Sequence, residues 1–133
     1  MCVVPTLVLL VENDLTSRLR AANELLDDGY EVVESESASE AMSILEGRDD
    51  FGAMVADTDP DQAPGGLSLV RYAARHRRGM KILVSSTWAD AGAELITIAA
   101  SFLSKPYPTG ALVGEMRLML ADTSGLAPVA LAE

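Results

Sequence analysis

The chain has 133 residues, 49% apolar and 23% charged, with a formal net charge of −10 at pH 7; this suits one globular domain and excludes both a second domain and a disordered chain. Fifteen of the twenty acids fall at or before Asp61, and the only lysines are Lys81 and Lys105, so the chain should repel a phosphate backbone and no nucleic-acid partner is expected. The single cysteine, Cys2, excludes an internal disulfide, and MCVVPTLVLLV lacks a basic leader, is broken by Pro5 and meets charge at Glu12, so it reads as a strand rather than a signal peptide or membrane span.

Thr6 to Val11 is a continuous apolar run, the pattern of a central strand covered on both faces. Asp14 is placed to cap a helix from Leu15 to Asp28, in which Leu15, Leu19, Ala22 and Leu26 recur at helical spacing and after which Gly29 supplies a left-handed stop. Tyr30 to Glu34 is a more polar strand suited to a sheet edge. Ser37 and Glu40 form a capping box for a short helix that runs to about Glu46 and ends at Gly47.

Gly52 to Ala56 is the third strand and is closed by Asp57, after which DTDPDQAPGG can only be loop. Leu67, Val70 and Ala74 mark the next helix, and Arg75, His76, Arg77 and Arg78 read as its solvated, dipole-complementing end. Lys81 to Ser85 is a fourth strand, Ala89 to about Ala99 a short helix, and Phe102 to Ser104 a minimal fifth strand. Thr109 is placed to cap a last helix with Leu112, Met116 and Met119 on one core face, and a frayed tail is expected from Asp122 onward. Five apolar runs alternating with five helical segments argue for an α/β fold with a parallel sheet covered on both faces.

Four of the runs end in related polar residues: Glu12 and Asn13, Asp57, Ser86, and Lys105. Open parallel sheets bind ligands beyond the carboxyl ends of their strands, where these residues would converge. Acids, a hydroxyl and a lysine are the groups that phosphoryl handling needs, because its transition state is stabilised mainly by positioning and charge neutralisation. A carboxylate can be the nucleophile. The product sets a dianion near Glu12, and unit charges about 4 Å apart cost about 4 kcal/mol at an effective dielectric near 20, so cations must offset the repulsion.

VEND followed by Arg18, the apolar run ending in Asp57, the GGLSLV helix start, ILVSS and FLSKP resemble a response-regulator receiver domain of two-component signalling, over about Leu7 to Leu120. The resemblance implies a doubly wound, flavodoxin-like sheet of order 2-1-3-4-5 with five flanking helices, a receiver domain over 1–121 and a tail over 122–133. It makes Asp57 the phosphate acceptor, Ser86 the hydroxyl that closes on phosphate, Lys105 its cationic partner and Phe102 the switch aromatic. Its Mg²⁺ would be held by Glu12, Asn13, Asp57 and the backbone carbonyl of Asp59. It further implies a histidine kinase or phosphotransfer protein as donor, an unidentified downstream protein, a possible homodimer, and no activity beyond self-phosphorylation and autodephosphorylation; a cytoplasmic location is expected from the lone Cys2, which gives no sign of an oxidising compartment. The competing reading is a receiver-shaped interaction module that is never phosphorylated.

The sequence departs from the family pattern in three places. Asn13 stands where the family has a metal-ligating aspartate, so weakened Mg²⁺ binding is expected. The loop after Asp57 is longer and carries both Pro60 and Pro64; Asp59 and Asp61 either compensate for the charge missing at Asn13 or, the favoured expectation, turn their side chains to solvent. The stretch from Ser86 to Lys105 is shorter than usual, with Ile98 at a usual glycine position, so the helix within it should be altered. The DTDPD motif is similar to a phosphatase nucleophile motif but has no later paired acids, and it fails as an EF-hand because Gln62 and Ser68 occupy the glycine and bidentate-acid positions.

Overall fold

The computed structural model describes residues 5–59, 65–87 and 101–121. The expected Ala89–Ala99 helix, the tail from Asp122, and Cys2, Pro60, Asp61, Pro64, Trp88 and Ile98 lie outside the described residues. In chain order the elements are β1 (Leu7–Val11), α1 (Leu15–Asp27), β2 (Glu31–Ser35), α2 (Ala38–Gly47), β3 (Ala53–Asp57), α3 (Gly66–His76), β4 (Lys81–Ser86), β5 (Ser101–Ser104) and α4 (Ala111–Ala121).

The strands form one parallel sheet of order β2-β1-β3-β4-β5, as the alternating pattern and the resemblance imply. The β1 run is buried on both faces because its side chains alternate between two cores. Leu9 and Val11 join Leu45, Met54, Leu69, Val70 and Val84 beneath α2 and α3. Val8 and Leu10 join Leu25, Val55, Leu83, Leu112, Met116 and Met119 beneath α1 and α4. The methionines of the last helix are therefore core, and each large side chain fully buried here contributes roughly 1.5–3 kcal/mol.

Local chemistry fixes the element ends. The Asp14 carboxylate accepts from the Ser17 amide at 2.8 Å, and Gly29 takes the left-handed conformation, φ 95°, that ends α1. Ser37 Oγ accepts from the Glu40 amide at 3.0 Å, while the Glu40 carboxylate reaches the Glu36 amide at 2.9 Å, one residue before the usual capping-box partner. The last helix differs from expectation. Gly110, φ 93°, stands directly before Ala111, and its carbonyl accepts the Gly114 amide at 2.9 Å, so the cap position belongs to Gly110 and not to Thr109. Asp28, at the end of α1, is ion-paired with Arg117 of α4, which ties the two helices on that face. No described helix is long and apolar enough to cross a membrane.

Candidate functional site

Parallel registration brings the strand ends together. Asp57 pairs with Ser85 and Ser86 with Ser104, while backbone bonds extend the ladder past the strands: Glu12 N–H to Ser35 O at 3.0 Å, Thr58 N–H to Ser85 O at 3.1 Å and Lys105 N–H to Ser86 O at 2.9 Å. Glu12, Asp57, Asp59, Ser86 and Lys105 thus share one rim of the sheet. Arg18 buttresses the first turn, donating to the Glu12 carbonyl at 3.0 Å while it pairs with Glu34 at 3.1 Å.

The centre of the site is the Lys105 ammonium. Its Nζ lies 3.2 Å from Glu12 Oε1, 3.2 Å from Asp57 Oδ2 and 3.9 Å from Asp59 Oδ2. The other Glu12 oxygen accepts the Asp14 amide at 3.2 Å, and Asp57 Oδ1 accepts the Asp59 amide at 2.9 Å. Asp57 Oδ2 is buried and, although Lys105 is near, receives no well-directed hydrogen bond. A cavity of about 300 Å³ opens beside these groups, and its lining includes Glu12, Asp59, Thr87 and Lys105 together with Arg20 and Tyr107.

Burial pushes the Glu12 carboxyl above its ordinary value; Lys105 opposes this and the Asp57 charge adds to it. Burial by itself would lower the Lys105 ammonium, but the Glu12 and Asp57 carboxylates outweigh it and hold Lys105 above its ordinary value. Burial also works against the Asp59 anion. Hydrogen bonds from Ser86 and Thr87, with the Lys105 charge, outweigh that and hold the Asp59 carboxyl below its ordinary value.

Asp59 corrects an expectation. Its side chain does not face solvent: the residue is 6% exposed, and Oδ1 accepts from Ser86 Oγ at 2.7 Å, the Thr87 amide at 2.7 Å and Thr87 Oγ1 at 3.1 Å. Thr87 is likewise a site residue that the sequence reading passed over. The signal was a second hydroxyl directly after Ser86; what hid it was the offset of one residue beyond the strand end.

Asn13 and Phe102 stand apart from this group. Asn13 is exposed, and its amide donates to the Glu36 carbonyl at 3.5 Å, towards β2. It takes no part in the ion pairs that join Glu12, Asp57, Asp59 and Lys105. Phe102, in register with Val84, is half-buried and packs against the core beneath α2 and α3. Among the described residues, no three acids, histidines or cysteines are arranged as a metal site.

No protein-family model matches the sequence, and no curated protein matches it either. Solved structures do match. A receiver-domain protein described as CheY-like from Methanospirillum hungatei superposes with a TM-score of 0.82 at 21% identity, over 92% of this chain and 98% of that one. The response regulator TrrA from Thermotoga maritima, solved in complex with Mg²⁺ and BeF, gives 0.74 at 20% identity, over 86% of this chain and 98% of that one. NtrX from Brucella abortus gives 0.83 at 18% identity, over 98% of this chain but 30% of that one. With the strand order and the rim of acids, hydroxyls and lysine, these likenesses establish that the chain has the fold of response-regulator receiver domains.

Proposed function

We propose that the chain is a receiver that takes a phosphoryl group on Asp57 from a histidine kinase or phosphotransfer protein and signals through altered protein contacts. The observation that carries this is the pairing of Asp57 Oδ2, buried and without a well-directed hydrogen bond, with the Lys105 ammonium at 3.2 Å. A carboxylate oxygen so held is a nucleophile beside a fixed cation. Lys105 neutralises equatorial phosphoryl oxygens as they approach, and no side-chain proton has to move, because a carboxylate attacks as the anion. The roles of Ser86 as the hydroxyl ligand and of Phe102 as the moving aromatic rest on the resemblance alone.

The donor set fits Mg²⁺ in charge: Glu12, Asp57 and Asp59 bring three carboxylates around one ammonium, an excess of negative charge that burial makes costly. Glu12, Asp57 and the Asp59 carbonyl would hold the ion, with Asn13 offering only a neutral oxygen. When bound, it supplies positive charge against the phosphoryl oxygens.

A second reading, a module that works without phosphorylation, draws on Asn13 being turned towards Glu36 and on Ser86 being bonded to Asp59. One experiment separates the two: acetyl phosphate and Mg²⁺ are added, and intact mass and Trp88 fluorescence are followed, with Asp57→Ala as control. A gain of one phosphate and a saturating fluorescence change, both absent in Asp57→Ala, support the acceptor. No gain in the native chain favours the silent module.

A further inference from the structure

A phosphoryl group on Asp57 brings two negative charges and three oxygens that have to be met by a cation and by hydrogen-bond donors. At Asp57 itself the described donors are Lys105 Nζ and the Asp59 amide; at the adjoining end of β4, where Ser85 pairs with Asp57, stand the Ser86 hydroxyl and the amide and hydroxyl of Thr87. The last three all converge on a single oxygen, Asp59 Oδ1, at 2.7, 2.7 and 3.1 Å. The second Asp59 oxygen lies 3.9 Å from Lys105, and the Asp59 amide is fastened to Asp57 Oδ1 at 2.9 Å. The Asp57 side chain is 0% exposed in this arrangement.

We propose that Asp59 is an internal anion seated on the donors that the phosphoryl group needs, so that its withdrawal from the end of β4 gates phosphorylation of Asp57. The inference rests on the reading of Asp57 as the acceptor and adds what controls it. A carboxylate oxygen and a phosphoryl oxygen make the same demand on a hydroxyl, an amide and an ammonium, and like charges cannot share one set of donors without mutual repulsion. Asp59 therefore competes with the incoming group twice, by occupying its donors and by its charge. While Asp59 is seated, Ser86 and Thr87 are held as an anion would hold them. After the phosphoryl group is lost, Asp59 is two residues away and returns.

With acetyl phosphate as donor, an Asp57 carboxylate oxygen forms the new bond to phosphorus, the bond from phosphorus to the acetate oxygen breaks, and acetate leaves with the electron pair. The rate of this step reads the gate. With Mg²⁺ saturating for each protein, so that the lost charge does not act through the metal, Asp59→Ala, which removes both acceptor and charge, is expected to gain phosphate about tenfold faster than the native chain by intact mass. Asp59→Asn keeps an acceptor but not the charge and should be about threefold faster; it carries the test if Asp59→Ala does not fold. A second readout is the Thr87 amide resonance, which should move in the native protein on phosphorylation and already be displaced in unphosphorylated Asp59→Ala. Native-like or slower labelling of the folded variants, with the native chain still gaining phosphate, overturns the gate alone. No gain in the native chain or either variant overturns the acceptor reading and the gate with it.

Discussion

Gly66, the first residue of α3, lies directly against the backbone of Asp57. A Cβ at Gly66 would stand 2.7 Å from the Asp57 carbonyl oxygen and 2.9 Å from Thr58 Cα, so only a residue without a side chain lets α3 start this close to the end of β3. Neither neighbour is the flexible tip of a side chain that could swing aside. Gly66→Ala is expected to cost about 1–3 kcal/mol through the forced backbone shift, read as a lower urea midpoint. Phosphate gain by intact mass should fall with it, because the displaced atoms carry the acceptor. An unchanged midpoint would show that the helix start yields freely.

Lys105 holds Glu12 and Asp57, whose side chains are 8% and 0% exposed. Lys105→Met leaves these carboxylates buried without their cation, and loss of one partner from a buried pair is expensive. Because Lys105 itself is 17% exposed, the expected loss is below the fully buried case, about 2–3 kcal/mol at pH 7. The loss should shrink as pH falls, since protonation of Glu12, whose carboxyl is already raised by burial, removes one uncompensated charge. Urea unfolding of both proteins at pH 7 and pH 5 checks magnitude and sign together.

Asn13 is exposed and donates to the Glu36 carbonyl at 3.5 Å, a weak bond whose loss should be nearly neutral. Asn13→Asp adds a carboxylate next to Glu12, and divalent-cation affinity rises with ligand charge. Mg²⁺ is expected to bind the variant about tenfold more tightly, measured by titration calorimetry. Equal affinities for the two proteins would remove Asn13 from the metal pocket.

Asp28 is held below its ordinary carboxyl value by the Arg117 hydrogen bond, with burial opposing. A depressed folded value means that the unfolded chain binds the proton more readily, so the pair's stabilisation is present above the unfolded value and lost as pH falls through the folded one. Asp28→Asn should therefore flatten the acid limb of the stability curve below about pH 4, near the reference carboxylate value. Thermal midpoints from pH 2 to pH 7 test this, and parallel native and variant curves would exclude the pair from the acid response.

Among the described residues, strand and helix identities were legible because they depend on local pattern. LVLLV could be assigned to the sheet centre from its unbroken apolar run, and Ser37 and Gly29 marked the ends of helices by capping chemistry that acts within a few residues. The rim residues Glu12, Asp57 and Lys105 were legible for a related reason: each follows an apolar run, and parallel strands put all such positions on one edge of the sheet. The cap of the last helix was misplaced by one residue because Thr109 and Gly110 are both acceptable there, and only the backbone conformation at Gly110 separates them.

What the sequence by itself determined is the order of elements, the two-faced core and the set of polar residues at the strand ends, since all of these follow from periodicity and chain direction. What only the tertiary structure decided is how those polar residues are shared out. Whether Asp59 faces water or Ser86, whether Thr87 joins the site, and whether Asn13 turns to Asp57 or to Glu36 depend on distances of a few ångströms between segments far apart in the chain. Competition between burial, hydrogen bonding and the Lys105 charge sets those distances, and that competition exists only after β1, β3, β4 and β5 have been brought side by side.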